Sequence, residues 1–290
     1  MGQAAAILPF SGVLAKTARY ERLMLQAACH WMIRMNQDFS SRRVVITGGA
    51  GGIGETLARR LLALGAMVVL ADCDRAALLR VASALNGEVG LCECDISSDQ
   101  DCSRLIQSAE TYFQAPIDVF VANAGIPFAG PLQRASVDDI TRVIAVNVIG
   151  SILSARAAIG SLANGVDPCL VFMGSLQSVT GRAERSVYTA SKHAIAGLVK
   201  SLALELGPQG IRVNAVAPTV LDTPFLHQAY ERAGIPVEQG LAQAAQGLPL
   251  RRIPTLEDVA ATILFLSSPA TRSMTGQIVM VDCGATAGKM

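Results

Sequence analysis

The sequence predicts an α/β fold: one doubly wound domain whose parallel sheet is covered by helices on both faces. Three observations carry this. From Arg42 onward, short unbroken apolar runs alternate with longer stretches of helical periodicity, and strands buried on both faces have that character. The first run opens onto a glycine-rich turn, Gly48 to Gly54, where a helix begins. No repeat, low-complexity linker or break in composition divides the chain after residue 41, so residues 41–290 are expected to form one domain.

The elements follow in order. Arg43–Thr47 is a β-branched strand, and Glu55–Leu64 has apolar residues at helical spacing, closed by Gly65 as a C-terminal cap. Ala66–Ala71 is the second strand and ends at Asp72. A helix over about 74–86, a strand over Glu88–Asp95 and a helix over about 99–114 come next. Ile117–Ala122 is a fourth strand that runs into Asn123-Ala-Gly125. One long helix is expected over 136–163, then a strand at 169–174 and a helix that carries Tyr188 to about Leu206, where Gly207-Pro208 stops it. Ile211–Val216 is the sixth strand. Residues 223–250 suggest one or two short helices that form a substrate lid, 255–267 a helix, and Gln277–Val281 the last strand.

Residues 1–40 are unlike the rest. They show no regular alternation, and Lys16, Arg19, Arg22 and Arg34 outnumber Glu21 and Asp38. A charged start followed by an apolar stretch is missing, and no part of this segment is long enough to span a membrane. It is expected to be an N-terminal extension, either a surface arm or a mis-called start before Met35.

Composition narrows the function. Hydrophobic residues make up 51% and charged residues 16%, which suits a large core and excludes disorder. A net charge of +1 gives no electrostatic reason to bind nucleic acid or a membrane. Cys29, Cys73, Cys92, Cys94, Cys102, Cys169 and Cys283 are odd in number and irregular in spacing, so a disulfide framework is not expected. His30, His193 and His227 are not at ligand spacing, and no metal site is expected. The expectation is a reduced cytoplasmic protein.

The candidate chemistry starts from the glycine turn. A helix N-terminus presents free N–H groups and partial positive charge to a pyrophosphate, and glycines keep side chains out of its way. Asp72, at the end of strand two, is placed to accept hydrogen bonds from the adenosine ribose diol and to repel a 2′-phosphate. That favours NAD over NADP. Further on, Ser175 follows an apolar run, with Tyr188 thirteen residues later and Lys192 four after that. On a helix the last two share a face. A lysine ammonium beside a phenol favours the phenolate, which brings a tyrosine of reference pKa about 10 towards neutrality.

Taken in order, Thr47-Gly-x-x-x-Gly-Ile-Gly54, Asn123-Ala-Gly125, Asn147, Ser175 and Tyr188-x-x-x-Lys192 resemble the short-chain dehydrogenase/reductase family over about residues 42–284. The resemblance implies a Rossmann-type domain with a seven-stranded parallel sheet, hydride transfer to or from a nicotinamide cofactor, and a dimer or homotetramer. It implies that Gly48, Gly52, Ile53 and Gly54 line the pyrophosphate, Asp72 the ribose, and Asp95 and Ile96 the adenine. Asn123 and Gly125 would flank the cofactor, Tyr188 and Lys192 meet its nicotinamide ribose, and Val220 and Thr223 its carboxamide. Thr219 stands where the family commonly has glycine.

The expected reaction is NAD-dependent interconversion of a secondary alcohol and a ketone. Tyr188 exchanges the proton, Ser175 holds the reacting oxygen, Lys192 supports the phenolate, and Asn147 holds a water that links Lys192 to solvent. Gln177, Arg182, Glu184 and Arg185 in one loop, and Phe225, Leu226, Tyr230 and Arg232 in the lid, are the expected specificity residues. The alternatives are a 3-oxoacyl-thioester (acyl-carrier-protein) reductase of the same fold and a non-catalytic nucleotide-binding protein. The presence of Ser175, Tyr188 and Lys192 argues against the latter.

Overall fold

The computed structural model describes residues 39–288 apart from 224–225, 228–229 and 232–233. Seven strands are present: β1 Arg43–Thr47, β2 Met67–Asp72, β3 Gly90–Glu93, β4 Val119–Ala122, β5 Cys169–Met173, β6 Arg212–Pro218 and β7 Ile278–Val281. All pair in parallel, in the order β3-β2-β1-β4-β5-β6-β7. The helices are α1 Gly52–Ala63, α2 Arg75–Ala84, α3 Asp99–Phe113, α4 Val137–Ile144, α5 Ser151–Leu162, α6 Ser186–Leu206, α7 Val237–Gln246 and α8 Leu256–Ser267.

Because successive strand residues face opposite ways, the apolar runs supply two cores at once. Val44 and Ile46 pack with Leu57 and Leu61 of α1 and Val259 and Ile263 of α8. Val45 faces the other layer, where Leu105 of α3, Ala158 of α5 and Val199 of α6 meet Phe120 and Phe172. Several helix starts are held by side chains that satisfy otherwise unpaired N–H groups. Asp74 Oδ1 accepts from the Ala77 amide at 2.9 Å, and Thr255 and Asp258 cap α8 reciprocally.

The strand order places the site. From β1 the chain proceeds to β2 and β3 on one side, and returns to β4 on the other. The connections diverge there and leave a crevice beyond the carboxyl ends of β1 and β4. The glycine turn after β1, Asp72 after β2, Asn123 after β4 and Ser175 after β5 all open onto this end of the sheet.

Three expectations change. The long helix over 136–163 is interrupted: α4 and α5 are joined by a π turn, Ala145–Gly150. The Ser151 hydroxyl donates to the Asn147 carbonyl at 2.8 Å, a local bond that competes with the helical ladder. Strand three is four residues rather than eight. At the N-terminal boundary, Phe39 is buried in the core, so the folded unit takes in residues assigned to the extension. The rest of that extension, and Phe225 and Arg232 of the expected lid, lie outside the described residues. By length and composition the helical run Val137–Leu162 is apolar enough to cross a membrane; here one face of it packs against the sheet.

Candidate active site

A cleft of about 740 Å³ opens at the switch point. Gly48, Gly52, Ile53 and Asp72 line one part of it, with Asp95 and Ile96 alongside. Asn123 and Gly125 line its middle, and Ser175, Tyr188, Lys192, Val220 and Thr223 the part beyond β5 and β6. Of the residues assigned to catalysis and cofactor binding, Gly54 and Asn147 are absent from the lining, as are Glu184 and Tyr230 among the described specificity residues.

The glycine turn fits a pyrophosphate. Gly51 caps α1 with no side-chain hydrogen bond, so the first amides of the helix are left to whatever enters the cleft. Two glycines are fixed by the protein itself. Gly48 has φ +64°, and a Cβ there would fall 2.8 Å from Ala124 Cα. A Cβ on Gly54 would fall 2.5 Å from the Gly48 carbonyl oxygen. Asp72 Oδ2 accepts from the Ala50 amide at 3.1 Å, which ties the end of β2 to the turn. Arg75 reaches instead towards Glu93 at 3.8 Å.

Around Ser175 the backbone is tightly held. Ser175 caps a short 3₁₀ turn, Leu176–Ser178, and Ser178 Oγ accepts from its amide at 3.1 Å. The Ser175 hydroxyl donates to Gln177 Oε1 at 2.6 Å. Tyr188 and Lys192 are i, i+4 neighbours on α6, with the ammonium 5.7 Å from the ring centroid. Lys192 Nζ donates to the Met173 carbonyl at 2.8 Å. Asn147, 1% exposed, accepts from the Ile126 amide and donates to the Ile126 carbonyl, both at 2.8 Å, and donates to Ser191 Oγ at 3.1 Å. It therefore clamps the segment after β4 to α6, one residue from Lys192.

Electrostatics depart from the sequence expectation. Burial pushes the Tyr188 phenol above its ordinary value, against the smaller opposing effects of the Ser175 hydrogen bond and the Arg185 charge. Burial brings Lys192 down to about 8. The ammonium is committed to Met173 rather than to the phenol oxygen, so desolvation wins at both groups. At neutral pH this site holds a protonated tyrosine beside a mostly charged lysine.

Thr219 does not disturb its loop. It is not among the described residues with positive φ, and its amide donates to the Val281 carbonyl at 3.2 Å, continuing the β6–β7 pairing. Arg142 lines the cleft and was not anticipated, because nothing in its spacing on an amphipathic helix sets it apart.

Comparison with known proteins agrees with this geometry. A family model described as enoyl-(acyl carrier protein) reductase matches residues 48–286. A cis-4-hydroxycyclohexanecarboxylate dehydrogenase from Sinomonas cyclohexanicum is 36% identical over 258 residues, covering 87% of this chain and all of that one. The solved structure of a 3-ketoacyl-(acyl-carrier-protein) reductase from Brucella melitensis, complexed with NADH, superposes with a TM-score of 0.78 at 28% identity and covers 86% of this chain and 99% of its own. A short-chain dehydrogenase/reductase described as glucose/ribitol dehydrogenase, also from Brucella melitensis, superposes with a TM-score of 0.79 at 31% identity over 86% of this chain and 98% of that one. With a seven-stranded Rossmann sheet, a glycine-rich turn at its switch point and matches across nearly all of the folded unit, this chain belongs to the short-chain dehydrogenase/reductase family, enzymes that act on CH–OH groups with a nicotinamide cofactor.

Proposed function

We propose that the protein interconverts a secondary alcohol and its ketone with NAD as cofactor, and that Tyr188 is the group that gives and takes the proton. One observation carries the reading: Ser175, Tyr188 and Lys192 line one part of a single cleft whose other part holds Asp72 and the open end of α1. Gly48, Gly52, Ile53 and Gly54 would hold the pyrophosphate, Asp72 the adenosine ribose, and Asp95 and Ile96 the adenine. Asn123, Gly125, Val220 and Thr223 would border the nicotinamide end. Bound nicotinamide supplies the hydride acceptor or donor.

The chain's own groups do the rest. The protonated phenol of Tyr188 is ready to donate to a ketone oxygen; for alcohol oxidation it first loses that proton, helped by the Lys192 and Arg185 charges. The Ser175 hydroxyl has one rotatable proton, and turning it from Gln177 Oε1 to the substrate oxygen exchanges one acceptor for another. Lys192, fixed by Met173, keeps positive charge near the reacting oxygen, and Asn147 fixes the backbone on either side. Asp72 supports NAD: its carboxylate is held by the turn and disfavours a 2′-phosphate. The six described cysteines are free thiols, which supports a reducing, cytoplasmic setting.

The test is an NAD(H)-coupled absorbance screen across polyols, cyclic alcohols, steroids and 3-oxoacyl thioesters, followed by Tyr188→Phe on any substrate found. The variant should lose at least ~10²-fold in kcat and still bind NADH. Retention of more than about a tenth of the activity would remove Tyr188 from the proton-transfer role.

A further inference from the structure

The cleft carries a charge pattern that proton transfer to an alcohol does not use. Arg142 on α4, and Arg182 and Arg185 in the loop before α6, all line it. None of the three is in an ion pair among the described residues. Arg142 and Arg182 are exposed, whereas Arg185 is half-buried and donates through Nη1 to the Phe128 carbonyl at 3.0 Å. A carbonyl satisfies one N–H and leaves the charge uncompensated.

Asp138 and Asp139 stand one turn before Arg142 on α4, but no acid is paired with Arg185. Glu184 opposes Arg185 only weakly; it is exposed, with φ +60°. Asp222 is taken by His227, whose Nε2 lies 2.5 Å away. Asp72 and Asp95 stand at and beyond the ends of β2 and β3, on the other side of β1 and β4 from Ser175. Three strand spacings amount to about 14 Å, beyond a Debye length of about 8 Å at physiological salt. Burial and the like charge of Arg182 push the Arg185 guanidinium below its ordinary value, as an unmatched cation pair should. Arg185 is also close to the chemistry. It precedes Tyr188 by three residues, and its charge is felt at the phenol.

We propose that Arg185, with Arg182 beside it, forms a carboxylate-binding site, and that the substrate is a secondary alcohol or ketone that carries a carboxylate. The proposal rests on the assignment of the alcohol chemistry to Tyr188. A guanidinium fork matches a carboxylate in two parallel hydrogen bonds, so anchoring that group also sets which way the carbinol carbon faces Ser175 and Tyr188.

The test uses a matched pair of probes, benzoate and benzamide, which share a shape and differ in charge. Each is titrated calorimetrically into the protein with NADH bound. Benzoate should bind about 10-fold more tightly than benzamide, the size of one charge-assisted hydrogen-bonded contact. Arg185→Met should erase that preference, and Arg185→Lys should keep part of it. Arg182→Gln, at an exposed position, should weaken benzoate severalfold and leave benzamide unchanged. Equal binding of the two probes overturns the proposal, as does an Arg185→Met variant that still prefers benzoate. So does inorganic phosphate binding more tightly than benzoate, which would assign the arginines to a phosphorylated carrier. Because these are binding measurements, a benzoate preference without NAD-linked turnover counts against the alcohol chemistry alone.

Discussion

Lys192 shows how far one residue can be held from its own preference. Its folded-state pKa of about 8 lies below the usual 10.5, so between those values the unfolded chain binds more protons than the folded one. Stability then rises with pH through that window, and below about pH 8 the buried charge works against folding. A shift of this size corresponds to about 3 kcal/mol; loss of the hydrogen bond to Met173 offsets about 1 kcal/mol of that. Lys192→Met should therefore melt several degrees higher than the parent at pH 7, with the gap closing towards pH 10, while losing activity. Thermal melts across that range check the sign, and a variant that is less stable at pH 7 would refute it. Asp72→Ala, by contrast, should weaken NAD by more than about 10-fold and NADP far less, as measured by titration with each nucleotide. The spacing of Tyr188 and Lys192 showed a shared helix face, but their assignment with Ser175 to one site needed the glycine turn, Asp72 and Asn147 in order along the chain. The protonation of Tyr188 was not legible, because it depends on how much of the surrounding fold excludes water and on Met173 capturing the ammonium. Spacing records neither.

At the scale of elements, the glycine turn is the most constrained piece. Its 48-x-x-x-52-x-54 spacing is visible in the sequence, and the structure explains two of those glycines by contact rather than by ligand. Gly54→Ala would push a Cβ against the Gly48 carbonyl, an overpacking of backbone that costs about 1–3 kcal/mol. The variant should melt several degrees lower and bind NADH more weakly; thermal melts and an NADH titration read both effects. The strands were legible because they are buried on both faces, and β1 begins and ends as the apolar run does. β3 was over-read, because Glu88 and Asp95 flank an apolar pattern that extends past the residues with a pairing partner on β2. The π turn was not legible in the sequence. Ala145–Gly150 is rich in β-branched residues and ends in glycine, which weakens a helix without specifying how it breaks. The bond from Ser151 to the Asn147 carbonyl and the packing of Asn147 against Ile126 and Ser191 show why the turn widens there.

For the whole molecule, the long apolar stretch 143–160 was open to two readings, core or contact with another copy. The structure divides it: Ala155 and Ala158 are buried, while Ile149 and Ile152 are 47% and 42% exposed. A homo-oligomer would cover that outer strip. Ile152→Glu should then shift the molar mass measured by light scattering towards the monomer; an unchanged mass would assign assembly to another face. The sheet itself has a consequence for how the protein is made. β1 pairs with β2 within the next 25 residues of chain, but its other edge waits for β4, whose Val119 partners Val44. At about 5–20 residues per second, each nascent chain spends several seconds with a finished, apolar strand edge open to its neighbours on the polysome. Soluble yield should therefore rise when synonymous codons speed translation between Asp72 and Val119, and an unchanged yield would show that this open edge does not limit production.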